Sequence, residues 1–200
     1  MHRKVLKLLL AIFMMIGSLS GCGSASNDEA ETSAQAAEDE DVKQMEEDAA
    51  AKEADAIEYY EAGRAYLYGL DGKEVDLESA YTNFEKAAEL GNANAMTSIG
   101  WMYNNGNGVE QDYAVAMEWY EKAAELGDVI AMYNIGWAYD CGNGVEQDYT
   151  VAMEWYEKAA DLGDDVAMTN IGNMYFDGNG VEQDYAAAME WYEKAAELAL

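Results

Sequence analysis

Few side chains in this 200-residue chain are of a type and spacing that could make or break bonds. The one histidine is His2, and the two cysteines, Cys22 and Cys141, stand far apart. A histidine general base, a disulfide framework and a cysteine-rich metal site therefore cannot be assembled within one chain. The stretch Asp177-Gly178-Asn179-Gly180 resembles the start of an acidic calcium loop. The order of oxygen ligands fails at Val181, however, and no correctly spaced glutamate closes the loop. A glycine–asparagine turn accounts for it. Cys141 occupies a turn position where related stretches carry Asn105 and Asp177. No glycine-rich loop precedes a Lys-Ser/Thr pair, which leaves nucleotide binding without a motif. The expectation is that the chain holds no catalytic residues, no metal and no cofactor. Its 40 carboxylates against 11 lysines and arginines, a formal net charge of −29, argue against nucleic acid as a partner, since phosphate binding needs clustered cations.

The chemistry that remains is attachment and recognition. Residues 1–21 begin with Arg3, Lys4 and Lys7, continue through an apolar run from Leu8 to Ile16 and end in small residues, the order of an export signal. The apolar run is short for a bilayer span. Leu19-Ser20-Gly21-Cys22 resembles the bacterial lipobox, which implies cleavage before Cys22 and a diacylglyceryl group on its sulfur. Two or three acyl chains would anchor the chain stably, where a single chain is marginal. The expected location is outside the cytoplasm, on the outer face of the cell membrane or on an outer membrane if the organism has one. Residues 22–40 are acidic and nearly free of large apolar side chains, as expected of a flexible linker. Residues 41–57 are rich in Ala, Glu and Lys with Val42, Met45, Ala49 and Ala56 near helical spacing, which predicts a lead-in helix.

From 58 to 200 the chain is repetitive. The octapeptide GNGVEQDY occurs at 106–113, 142–149 and 178–185, a period of 36. The units are 58–94, which is diverged and one residue longer in its loop, then 95–130, 131–166 and 167–200. Each has two helical blocks, the mark of an all-α solenoid of about four helix-turn-helix repeats. Ala95, Met96, Ile99, Met102 and Tyr103 make one apolar face of a first helix. Gly100 within it costs about 1 kcal/mol relative to alanine. Its recurrence as Gly63, Gly136 and Gly172 points to a helix contact too close for a side chain. Gly106 and Gly108 supply a turn, and Asp112, like Asp76, Asp148 and Asp184, stands where a second helix needs an N-cap. That helix carries Ala116, Trp119, Tyr120, Ala123 and Ala124, and Gly127 ends it.

The pattern formed by Gly100, Tyr103, Gly106, Gly108, Val109, Asp112, Ala116, Trp119, Tyr120, Lys122, Ala123, Ala124 and Gly127 resembles the Sel-one-like repeat family, relatives of the tetratricopeptide repeats. The resemblance covers about 58–200. It implies a scaffold or adaptor that binds proteins on the concave face of a superhelix. Some secreted bacterial members carry paired cysteines and are linked with β-lactam binding, and those pairs are missing here. Asn83 and Phe84 replace the Trp-Tyr pair in the first unit, as in an end cap. The last unit lacks the terminal glycine and a polar closing helix.

The copies disagree along one stripe of the first helices, at positions i, i+1, i+4, i+7 and i+8. Tyr60, Arg64, Thr97, Trp101, Tyr133, Asn134, Trp137, Asn170, Asn173 and Phe176 fall there. Rigid aromatics and adaptable amides are what a binding surface favours, and an extended peptide or a partner helix is a natural occupant. The expectation is a membrane-anchored scaffold whose groove binds an unknown protein or peptide through these residues. Two alternatives stand beside it: a cell-envelope enzyme acting on peptidoglycan or β-lactam-like amides, for which the repeats offer only Ser79 and Ser98 as serine nucleophiles, and a passive spacer.

Overall fold

A computed structural model of the chain describes residues 26–198, so the export signal expected over 1–21 and the lipidation expected at Cys22 lie outside the described residues. Among the described residues there are eight helices and no strand. The chain divides into two units, Met1–Asp48 and Ala49–Leu200, and the first helix, α1 (Ser26–Tyr68), contributes to both.

In the first unit the acidic segment is helical from Ser26 onward. The reason lies in the residues. No glycine or proline falls between Ser26 and Ala62, and Ala, Glu, Lys and Gln, all good helix formers, dominate. Lys43 pairs with Glu47 at 3.7 Å and the Gln44 amide donates to Asp48 at 2.8 Å, one turn apart. Such contacts contribute a few tenths of a kcal/mol each. From Asp41 to Asp48 every side chain is exposed except the half-buried Val42. The lead-in helix expected over 41–57 is continuous with the first helix of the repeats.

The second unit is a run of helical hairpins. The last turns of α1 pack on α2 (Leu77–Glu89) through Tyr60, Gly63 and Leu67 against Phe84, and then α3 (Ala93–Asn105) pairs with α4 (Tyr113–Glu125). α5 (Val129–Cys141) pairs with α6 (Tyr149–Asp161), and α7 (Asp165–Asp177) with α8 (Tyr185–Leu198). Successive hairpins join through α2 on α3, α4 on α5 and α6 on α7. Each joint has its own core. Phe84, Ile99 and Met102 fill one, Tyr120, Ile135 and Ala138 the next, and Tyr156, Ile171 and Met174 the last. Burying each of these side chains except the small Ala138 stabilises by about 1.5–3 kcal/mol.

The recurring helical glycines do what their spacing implies. A Cβ on Gly100 would sit 2.6 Å from the Tyr120 ring, and one on Gly136 would sit 2.7 Å from that of Tyr156. The ring of each second helix lies against the backbone of the first, and only glycine leaves it room.

The repeated octapeptide is the joint of the solenoid. Gly106 caps α3 in the left-handed region with φ 68°, its N–H donating to Met102. Gly108, at φ 77°, faces the start of α2 in the preceding repeat, where a Cβ would meet Leu77 at 2.7 Å. Val109 packs into the core. The Gln111 amide donates to the Asn104 carbonyl at 2.8 Å and to the Tyr113 hydroxyl at 3.0 Å, fixing the loop across its mouth. Asp112 caps α4 by accepting from the N–H groups of Ala114 and Val115 at 2.9 and 3.1 Å. Asp76, Asp148 and Asp184 do the same for α2, α6 and α8. Asn92, Asp128 and Asp164 cap the first helices in turn.

Candidate functional site

The first helices of three successive repeats, α1, α3 and α5, enclose an open cleft of about 210 Å³. Tyr60, Thr97, Trp101 and Asn134 from the variable stripe line it. Leu67, Tyr68 and Ser98 join them, and so do Asn94 and Ile130. Trp101 is 38% exposed, Tyr68 58% and Ile130 56%, large apolar groups that face solvent in a chain with a well-filled core. Exposed aromatic and aliphatic surface of this kind, rimmed by amides and hydroxyls, is the composition of a recognition surface.

The stripe is not uniform. Thr97, placed by the stripe among the partner-binding residues, is only 7% exposed, and its hydroxyl donates to Asp128 Oδ1 at 3.0 Å. The same carboxylate oxygen caps α5 through the Ala131 N–H, so Thr97 forms part of the cleft wall and ties two repeats together. Arg64 turns along its own helix, paired with Glu61 at 3.1 Å and lying 5.8 Å from the Tyr60 ring centre. Tyr133 leans on Tyr156 with ring centres 5.8 Å apart, and the half-buried Trp137 packs against the same core. Both do structural work that the sequence pattern did not separate from exposure. Asn173 accepts from the Tyr192 hydroxyl at 2.8 Å and reaches Asn170 at 3.5 Å. Phe176 is 50% exposed and stacks edge-on against Tyr185, with ring centres 5.2 Å apart. Cleft residues and these later stripe residues thus fall into two groups.

Asn94 and Ile130 escaped the sequence reading although a signal for them exists. They lie three residues before Thr97 and Tyr133, one turn back along the same face. The four copies also differ there, as Ile57, Asn94, Ile130 and Val166.

Titratable groups near the stripe are few. Burial raises the pKa of Asp140 from its ordinary value, and the Tyr156 hydroxyl, which donates to it at 3.2 Å, pulls in the other direction. Cys141 is exposed, and its thiol is pushed up by partial burial and by the neighbouring Asp140 charge, which holds it in the less reactive protonated form. Tyr60 is likewise raised, mainly by burial, with Arg64 opposing. None of these groups forms a nucleophile–base pair.

Residues 56–92, 93–128, 129–164 and 165–200 each match the model of the Sel1 repeat. The chain belongs to the Sel1 repeat family. The matched repeats start two residues before the units delimited by sequence, at 93, 129 and 165, which are the first residues of α3, α5 and α7. Among solved structures this Sel1 repeat chain is similar to a Sel1 repeat protein from Oxalobacter formigenes, with 34% identity and a TM-score of 0.69 over 72% of this chain and 59% of that one. It is also similar to a protective antigen present in uropathogenic Escherichia coli strains displaying an SLR fold, with 40% identity and a TM-score of 0.69 over 79% of this chain and 33% of that one. A third similar structure, an immunity protein from Pseudomonas aeruginosa, shares 25% identity at a TM-score of 0.53, covering 72% of this chain and 53% of that one. The Sel1 repeat chain therefore spans 59% and 33% of the length of the first two. No curated protein matches it. Sel1 repeat proteins are typically scaffolds for protein–protein interaction and generally non-enzymatic.

Proposed function

We propose that this Sel1 repeat protein is an exported, lipid-anchored scaffold that holds a protein or peptide partner in the cleft formed by its first helices. The observation that carries the reading is the convergence of Tyr60, Tyr68, Trp101, Ile130 and Asn134, drawn from three repeats, on one open cleft. The second helices of the last three repeats, by contrast, are nearly identical. Anchoring through Cys22 rests on the sequence of residues 1–22, and the acidic helix that follows would set the repeats away from the membrane surface.

A photo-reactive phenylalanine analogue placed at Ser98, in the cleft, should cross-link one protein in the native cells. The same group at Glu121, exposed on α4, should not. Trp101→Ala should remove the adduct without changing the helical circular dichroism, because Trp101 belongs to none of the three cores. Cys22→Ala should release the chain from the membrane fraction. Adducts that form equally at both positions, or that ignore Trp101→Ala, would reduce the repeats to a spacer.

A further inference from the structure

We infer that the partner segment held in the cleft is cationic, an extended stretch bearing lysine or arginine beside aliphatic residues, with its cation seated on Trp101 and Tyr68. This inference rests on the reading of the cleft as the partner site, and three observations carry it.

The first is charge. The chain has 40 carboxylates and a net charge of −29, and among the described residues only two ion pairs form, Lys43–Glu47 and Arg64–Glu61. The field around the repeats is therefore left largely uncompensated by the chain itself. It steers cations inward and repels acidic partners.

The second is where the chain's own cations go. All five lysines of the repeats lie over aromatic rings. Lys73 is 3.9 Å from the centre of Tyr66 and Lys86 is 5.2 Å from that of Tyr59. Lys122, Lys158 and Lys194 cover Trp119, Trp155 and Trp191 at 4.4, 3.7 and 4.0 Å. The three second-helix tryptophans are thus occupied. Trp101 and Tyr68 are exposed and line the cleft, yet among the described residues no lysine or arginine lies over either ring. They offer the same kind of π face, unoccupied, to a cation from outside.

The third is the lining. Neither a carboxylate nor a cation lines the cleft. Asn94, Ser98 and Asn134 can pair with the backbone groups of an extended segment, and Leu67 and Ile130 suit aliphatic neighbours of the cation. A cation here gives up water for a π face within a negative field and does not enter a buried ion pair.

The test uses three fluorescein-labelled peptides, Leu-Arg-Leu-Arg-Leu flanked by Gly-Ser and its counterparts with Gln or Glu in place of Arg, titrated into the full chain. The Arg peptide is expected to bind best and the Glu peptide worst. Trp101→Ala or Tyr68→Ala should weaken the Arg peptide about fivefold or more. Glu121→Gln, remote from the cleft, should change it less than about twofold. Binding of the Arg peptide that both aromatic variants leave intact would mean diffuse attraction to an acidic surface and would overturn the inference. So would failure of the Arg peptide to bind. Equal binding of the Gln peptide, lost in Trp101→Ala, would overturn the cationic partner while leaving the cleft as the binding site, so the two readings fail separately.

Discussion

Gly144→Ala is expected to destabilise the repeats by about 2–5 kcal/mol, lowering the melting temperature by roughly ten degrees in a domain of this size. Two separate costs combine. Gly144 has φ 77°, a left-handed conformation that costs an L-residue about 1–2 kcal/mol. The added methyl would also lie 2.7 Å from the carbonyl carbon and oxygen of Tyr113 and 2.8 Å from its Cβ. Those atoms belong to the first residue of α4, which Asp112 holds in place through its cap. The backbone cannot withdraw without breaking that cap, so the overlap is relieved by opening the joint between repeats. Gly127→Ala and Gly163→Ala separate the two costs. Both glycines have left-handed φ values, 90° and 94°, but nothing lies within 4 Å of a Cβ there. They should lose only about 1–2 kcal/mol. Urea unfolding of the three variants decides the matter, and equal losses would mean that Gly144 is no more than a turn residue.

The comparison also shows why the octapeptide could be understood only in part from sequence. Turn and cap are local: glycine after a periodic helix and aspartate before the next announce themselves within a few residues. That Gly108 and Gly144 touch Leu77 and Tyr113 of the preceding repeat is a property of stacking, and no single unit contains it. The tight packing of Gly100 and Gly136 was legible because a glycine inside a helix is costly and its return demands a reason. The binding stripe was less legible. Helical spacing places Trp101, Thr97, Tyr133 and Trp137 on one face, but whether a residue on that face meets solvent depends on the neighbouring hairpin. Thr97 reaches the Asp128 cap and Tyr133 reaches Tyr156, each outside its own helix, while Trp101 stays 38% exposed. The helix from Ser26 has its own local signal in the absence of glycine and proline and the excess of alanine and glutamate.

Tyr156→Ala should be the most damaging single change to the core, with a loss of about 3–5 kcal/mol. Tyr156 is fully buried, its ring lies on Gly136, and its hydroxyl donates to Asp140. Tyr192→Ala, the corresponding change in α8, should cost clearly less. Tyr192 is only half-buried, and Met189 beside it is 56% exposed where Met117 and Met153 are 6% and 7% exposed. A solenoid's stability is close to a sum over repeats and joints, so a change at a joint with neighbours on both sides removes more than one at a half-covered face. The stronger test pairs Tyr156→Ala with Gly136→Ala. Alone, Gly136→Ala drives a methyl to 2.7 Å from the Tyr156 ring and should destabilise by about 1–3 kcal/mol despite alanine's better helix propensity. With the ring removed, the closest remaining contact is the Ala152 carbonyl oxygen at 3.2 Å, the overlap is largely gone, and the propensity gain of about 1 kcal/mol survives. The double variant should therefore be more stable than Tyr156→Ala alone, a reversal of sign that only direct ring-on-backbone contact produces. Additive losses in the cycle would show that Gly136 is needed for some other reason, and the account of why glycine recurs in every first helix would fall with it.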